Sequence, residues 1–201
     1  IIDPVRGTTN RILLGDGIQH IGIDALGRIW VGYFDEGVFG NFGWGHPGPS
    51  GPGAGGLVCF NDNGGVLWRF NRDDGEAFID DCYAMNSTRD EIWIFYYSDF
   101  RICRMGSDFS QTFYKPKGIE GSHALAVSKD AVLLSGQSRE ARDTFYLMRR
   151  IEDRLTSPRK LRLQLPKDHG RLDDAKVIGQ GEDVNVITEA GWFQLSIGEL
   201  G

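Results

Sequence analysis

Hydrophobic and polar positions follow a repeated pattern along the chain, and residues 20–34 carry its clearest copy. Two short apolar runs, residues 20–23 and 29–34, flank a polar turn at residues 25–28. The second run is apolar at nearly every position, which is typical of a strand buried on both faces. The pattern therefore predicts an antiparallel hairpin with a buried second strand.

Weaker copies of this hairpin pattern recur at residues 83–97, 123–135 and 175–187. Their aligned positions, Trp30, Trp93, Leu133 and Asn185, are 63, 40 and 52 residues apart. Short strands repeating every ~40–50 residues are typical of propeller blades. The longer first interval requires an insertion, and the glycine-rich residues 37–56 supply one.

Each hairpin is followed by two more strand candidates, residues 57–60 and 66–70 after the first copy and 144–148 and 160–165 after the third. Four antiparallel strands per repeat make a propeller blade. We therefore expect an all-β fold, a β-propeller of four-stranded antiparallel blades. About four blades are visible, within a ring that we expect to hold five or more.

Strand candidates near the two ends of the chain indicate where in a blade the given sequence starts. Residues 1–4 and 11–14 resemble the third and fourth strands of a blade, and residues 191–197 fit a third strand with no fourth after it. Residues 11–14 could close the last blade, or the chain could be a fragment of a longer protein. We favour a single propeller domain over residues 1–201 that starts mid-blade, with at least ~60 further residues before it. No segment predicts a convincing helix.

Residues 24–32, Asp-Ala-Leu-Gly-Arg-Ile-Trp-Val-Gly, resemble the D-x-x-G-x-I-W-V-G blade repeat of regulator-type propellers of bacterial two-component systems. The wider stretch, with residues 33–41 and 79–84, is similar to a group of uncharacterised bacterial propeller-like proteins. The resemblance covers mainly residues 13–105. It implies a propeller fold and a bacterial origin, and it carries over no functional residue.

Charge and cysteine content narrow the functional classes. The net charge of −6 and the pI near 5.2 disfavour a nucleic-acid partner. Residues 139–171 are locally basic, with 10 Lys and Arg against 5 Asp and Glu, which indicates either a solvated outer edge or a docking surface. The three cysteines have no metal-ligand spacing and indicate buried thiols in a reducing, cytoplasmic setting. No apolar run is long enough to predict a membrane span.

Propeller geometry predicts where a binding site would lie. The first strand of each blade begins, and the second ends, on one face of the disk beside the central channel. We expect that rim to collect several carboxylates, two imidazoles and the insertion, and the candidate ligand-binding residues are Gln19, His20, Asp35, Glu36, Trp44, Asp81, Tyr83, Asp99, His123, Asp173 and Asp174. Polar strand ends are also common in any propeller, so this set has a purely structural alternative.

The insertion at residues 37–56 holds 9 glycines and 3 prolines among 20 residues, interleaved with aromatic side chains. One interpretation is a lid or partner-contact element, with a base packed near Phe39 and Phe42 and a mobile tip over residues 48–55. The other is a surface loop packed on its own blade.

Two functions stay open from the sequence. No G-x-S-x-G or H-E-x-x-H motif is present, which favours a non-enzymatic sensing or interaction propeller without a cofactor, binding a small molecule or protein on the face that carries the insertion. The alternative is a metal-dependent hydrolase or lactonase. Asp81, Asp173, Asp174 and His123 would then be candidate ligands for Ca²⁺ or Mg²⁺, and the first interpretation assigns no metal ligand.

Overall fold

A computed structural model describes residues 2–3, 7–9, 11–41, 43–70, 78–136, 142–167, 169 and 171–200. The chain divides into two compact units, Ile1–Cys82 and Tyr83–Gly201. The predicted single domain over residues 1–201 stays a prediction. No helix among the described residues is long and apolar enough to cross a membrane.

The first unit contains one four-stranded antiparallel sheet whose strands follow in chain order. Its strands are β3 (Ile18–Ile23), β4 (Ile29–Tyr33), β5 (Leu57–Phe60) and β6 (Val66–Arg69), and two shorter strands, β1 (Ile2–Asp3) and β2 (Thr8–Thr9), pair separately. Strands β4 and β5 are buried along their whole length, as the continuous apolar runs predict.

Asp24 organises the β3–β4 turn through local hydrogen bonds. One carboxylate oxygen accepts the backbone N–H groups of Leu26 and Arg28, each at 3.0 Å. The other oxygen accepts Nε of Arg28 at 2.6 Å and the indole N–H of Trp30 at 2.9 Å. Gly27 adopts a φ of +75° in this turn, which an L side chain would disfavour. The conspicuous aspartate and glycine of the repeat therefore build a turn and secure the buried Trp30.

A short helix, α1 (Asp35–Phe39), follows β4 directly, so the expectation of no helix was wrong. The insertion then folds back onto the first unit. Gly51, Gly53, Gly55 and Gly56 are buried, and the carbonyl of Gly56 accepts the N–H of Tyr33 at 2.8 Å. Glycine is needed at residue 53 because an added Cβ would lie 2.5 Å from the Tyr33 ring. The segment after residue 50 therefore packs on its own sheet.

The second unit contains three antiparallel sheets in succession. The first has β7 (Asp81–Ser87), which starts in the preceding unit, β8 (Glu91–Tyr97), β9 (Arg101–Gly106) and β10 (Gln111–Tyr114). The second has β11 (Leu125–Val127), β12 (Ala131–Ser135), β13 (Thr144–Ile151), β14 (Arg154–Leu155) and β15 (Arg159–Arg162). The third has β16 (Lys176–Gln180), β17 (Asp183–Thr188) and β18 (Gly191–Ser196).

Successive sheets of the second unit bury their faces against each other. One apolar cluster joins Trp93, Phe95 and Ile102 of the first sheet to Val132 and Met148 of the second. A second cluster joins the second sheet to the third, and it includes Leu133, Phe145, Val184 and Val186. Antiparallel sheets of about four strands, stacked face to face, are the blades of a β-propeller; among the described residues the sheets of the second unit have four, five and three strands. The predicted all-β propeller fold is confirmed.

Several strand predictions are confirmed and one is wrong. Residues 191–196 form the third strand of the last sheet, as expected. Residues 11–14 are not a strand, and Ile12 and Leu14 instead pack against the apolar cluster of the first unit. Ile1, Pro4 and Phe42 lie outside the described residues. All three cysteines are free and buried, as predicted.

Candidate functional site: an aromatic and histidine cluster at strand ends

The second unit brings four rings together where its first sheet begins and ends. Tyr83 lies in β7, Tyr97 is the last residue of β8, and Phe100 lies in the turn that follows. The ring centroids of Tyr83 and His123 are 5.0 Å apart, and those of Tyr83 and Tyr97 are 6.2 Å apart at an interplanar angle of 22°. The ring of Phe100 stands edge-on to Tyr97 at 5.3 Å. We call these four residues the ring cluster.

The ring cluster has a packed base and an exposed top. Tyr83 and Phe100 are partly buried and pack against the apolar core of the unit. The side of the cluster that carries Tyr97 faces solvent, and Tyr97 itself is 43% exposed. Phe100 holds its position with a φ of +51°, a conformation that non-glycine residues adopt rarely. Backbone outliers of this kind are concentrated at functional sites.

The surroundings of His123 favour the neutral form of its imidazole. Burial lowers its pKa most, and the positive charge of Arg142 lowers it further, while a hydrogen bond to the Tyr83 backbone acts in the opposite direction. A neutral imidazole beside two phenols can donate one hydrogen bond and accept another. The ring cluster therefore offers stacking surface together with directional polar groups.

Asp99 borders the ring cluster, but its charge is already compensated. Its carboxylate lies 2.9 Å from Nη2 of Arg101 and 3.8 Å from Nζ of Lys115.

Asp174 ends a 3₁₀ turn, Leu172–Asp174, where Leu172 is buried and Asp174 is exposed. Asp173 lies in the same turn, and its side chain is outside the described part of the structure.

The remaining candidates lie in the first unit. Gln19 sits at a β-bulge in β3, His20 pairs with Gly32 of β4, and Asp35 and Glu36 are exposed in the first turn of α1. Trp44 is half-buried within the insertion, where a Cβ added to Gly51 would lie 3.4 Å from its side chain. The insertion thus uses this tryptophan to pack on itself, which favours the second interpretation of the loop.

Asp81 is a candidate residue of the first unit whose surroundings raise its pKa. Burial raises its pKa to about 6, and the carboxylates of Asp35 and Asp80 add to this rise. Among the side chains that the structure describes, no group of three or more His, Cys, Asp or Glu is arranged to hold a metal ion.

The sequence-predicted residues Tyr83 and His123 lie together in the ring cluster, and their neighbours Tyr97 and Phe100 were not among the predicted residues. That these residues form a binding site stays a prediction. The exposed tyrosine at the end of an otherwise apolar strand was a usable signal for Tyr97. No sequence pattern predicts the positive φ of Phe100, because glycine or asparagine is the usual residue in that backbone conformation.

Comparison with known proteins names no activity for this chain. The model of the YxzG family matches residues 57–151, which is less than half of the chain but includes the whole ring cluster. A search of curated proteins gave no match. Among solved structures, the chain is similar to selenomethionine-substituted virginiamycin B lyase from Staphylococcus aureus, with 14% identity and a TM-score of 0.44. That similarity covers 90% of this chain, which spans only 55% of the lyase. The resemblance to regulator-type propellers stays a prediction.

Proposed function

We propose that this protein is a non-enzymatic sensing or interaction propeller that binds a small molecule carrying a flat ring at the ring cluster. One observation carries the proposal: four rings converge at strand ends, and one of them, Tyr97, is 43% exposed. Aromatic side chains supply rigid stacking area at a small entropic cost, and exposed ones are common in binding sites. The polar edges of His123 and the tyrosines would orient the ligand.

A ligand-observed NMR screen of aromatic heterocycles tests the proposal. We expect compounds that bind the wild-type protein to lose about tenfold in affinity in Tyr97→Ala, since a stacked ring contributes about 0.5–1.5 kcal/mol beyond its buried area. Trp192→Ala is the matched control, because Trp192 is another exposed aromatic residue, at 69%, on β18. If no compound distinguishes Tyr97→Ala from this control, the ring cluster is not the binding site.

A protein partner at the glycine-rich insertion remains part of the proposal, although the loop packs on its own sheet. Replacing residues 41–50 with a short turn tests it and leaves the buried segment after residue 50 in place. Loss of a partner identified with the wild-type protein would support a contact role. Undiminished binding would leave the ring cluster as the only proposed contact. The cytoplasmic location stays a prediction.

The metal-dependent hydrolase or lactonase is the alternative proposal, with Ca²⁺ or Mg²⁺ at the rim carboxylates. Asp81 is its best-motivated residue, because a bound cation would offset the burial that raises its pKa and the repulsion from Asp35 and Asp80 that adds to the rise. Elemental analysis of the purified protein separates the two functions. A stoichiometric metal that disappears in Asp81→Ala would favour the hydrolase over the sensing propeller.

A further inference from the structure

A cleft of about 350 Å³ lies in the second unit, and its lining shares no residue with the ring cluster. Its size falls within the ~300–1,000 Å³ range of small-molecule sites. One wall is the end of β10 with the segment after it, and the other is the hairpin that carries β14. The lining is Phe113, Tyr114, Lys115, Pro116, Lys117, Asp153, Arg154, Leu155, Thr156, Ser157 and Pro158.

The first wall has an alternating pattern of exposure. Tyr114 and Pro116 are buried, whereas Phe113, Lys115 and Lys117 are exposed. An extended chain sends alternate side chains to one side, so a ring and two ammonium groups follow each other along this wall. Phe113 is 37% exposed, which leaves part of its ring open to a ligand.

The opposite wall adds a third cation. Arg154 is exposed beside Thr156, and the neighbouring Leu155 packs toward the core. Asp153, the acidic residue of the lining, lies 3.3 Å from Nη1 of Arg104 and forms an ion pair with it. The lining thus carries three cations and one anion that is already paired, in a chain whose net charge is −6.

Two of these cations, Lys117 and Arg154, lack within the described residues the acidic partners that arginines of the basic segment have elsewhere, and the third, Lys115, has one long ion pair. Arg150 lies near Glu91, and Arg162 lies 3.0 Å from Asp143. Lys115 has only a long contact of 3.8 Å to Asp99, with its side chain 66% exposed. For Lys117 and Arg154, no carboxylate of the described chain lies within ion-pair distance.

We propose that this cleft binds a phosphate monoester carrying an aromatic ring, with the phosphate between Lys117 and Arg154 and the ring on Phe113. A phosphate dianion matches the excess of two positive charges in the lining, and its oxygens can accept hydrogen bonds from guanidinium and ammonium groups together. Arg154 belongs to the basic segment at residues 139–171, for which the sequence left a solvated outer edge and a docking surface as alternatives.

Isothermal titration with phenyl phosphate and with inorganic phosphate, at an ionic strength fixed with NaCl, tests the assignment. We expect saturable binding of phenyl phosphate, about fivefold tighter than that of inorganic phosphate because the ring adds contact with Phe113. Lys117→Gln and Arg154→Gln should each weaken binding about three- to fivefold, the modest effect expected of exposed charges. Together they should weaken it more than tenfold.

Two controls separate this site from general charge attraction. Lys176→Gln removes one exposed positive charge at the start of β16, outside the cleft, and should leave both affinities unchanged. Phe113→Ala should remove the advantage of phenyl phosphate while preserving the binding of inorganic phosphate. Equal losses in Lys176→Gln and Lys117→Gln would overturn the proposal, as would the absence of saturable binding. Equal affinity of both ligands for the wild-type protein would overturn the role of Phe113.

Discussion

Asn86 is a buried amide whose hydrogen bonds tie its own strand to a second strand and to a turn of the second unit, and its removal is the most informative single perturbation. It lies in β7 with 2% of its surface exposed. Its Nδ2 donates to the carbonyl of Leu125 at 2.7 Å and to that of Gly181 at 3.0 Å, and its Oδ1 accepts the N–H of Gly181 at 3.0 Å. One side chain thus links β7 to β11 and to the turn between β16 and β17.

The expected loss in the free energy of unfolding follows from these three hydrogen bonds. Each contributes a net ~0.5–1.5 kcal/mol, and a buried donor left unsatisfied costs a further ~1–3 kcal/mol. In Asn86→Ala the Gly181 carbonyl keeps its bond from the N–H of Val127, at 2.8 Å, but the Gly181 N–H loses its acceptor. We expect the free energy of unfolding to fall by about 3 kcal/mol. Asn86→Asp should be at least as damaging at neutral pH, because a carboxylate would face two carbonyl oxygens.

Urea unfolding followed by tryptophan fluorescence and far-ultraviolet circular dichroism measures this loss. Asn63→Ala is the matched control, since Asn63 is exposed and makes one side-chain bond, to Asp62, within a turn. That control should change stability by less than about 0.5 kcal/mol. A loss below about 1 kcal/mol in Asn86→Ala would refute the reasoning that this amide holds neighbouring blades in register.

Three other perturbations test separate contacts. Gly32→Ala should lower the free energy of unfolding by about 1–3 kcal/mol, because the added Cβ would lie 2.6 Å from Sγ of Cys82. Adding Cys82→Ala should recover part of that loss. If the effects of the two substitutions on the urea midpoint are strictly additive, the clash is contradicted. Asp81 has a pKa raised to about 6 from 3.8, so the folded state binds its proton more tightly and stability should fall as pH rises from about 4 to 6. Asp81→Asn should flatten that part of the pH–stability curve and raise stability at pH 7; an unchanged curve would contradict the raised pKa. Glu91→Ala should lower the free energy of unfolding by about 2 kcal/mol, because Glu91 accepts the indole N–H of the buried Trp93 at 2.8 Å and Nε of Arg104 at 2.6 Å. An unaltered urea midpoint would assign that stability to packing alone.

Much of the fold could be predicted because blade strands have local signatures. The apolar run at residues 29–34 is continuous, and the structure buries all of β4. Trp30 and Trp93 are completely buried, as the apolar strands around them indicate. Helix α1 escaped prediction because it spans five residues and buries only Gly37 and Val38, too few positions to reveal a helical period.

The candidate site was only partly predictable. Tyr83 and His123 were both expected at strand starts on one rim, because blade topology fixes where strands begin, and their ring centroids are 5.0 Å apart. The pairing of Asp99 with Arg101 and Lys115 was not predictable, since it depends on the path of the chain between β8 and β10. The glycine count of the insertion suggested mobility, yet glycines such as Gly53 are required there so that the backbone can approach Tyr33 closely.

The sequence by itself determined the all-β class, the blade repeat and the turn chemistry, because strand periodicity and residues such as Asp24 act over a few positions. Only the tertiary structure decided which side chains meet. The ring cluster joins residues 83, 97, 100 and 123, and the cleft joins residues 113–117 to 153–158. Such contacts depend on the stacking and twist of neighbouring sheets, and no local pattern encodes those quantities.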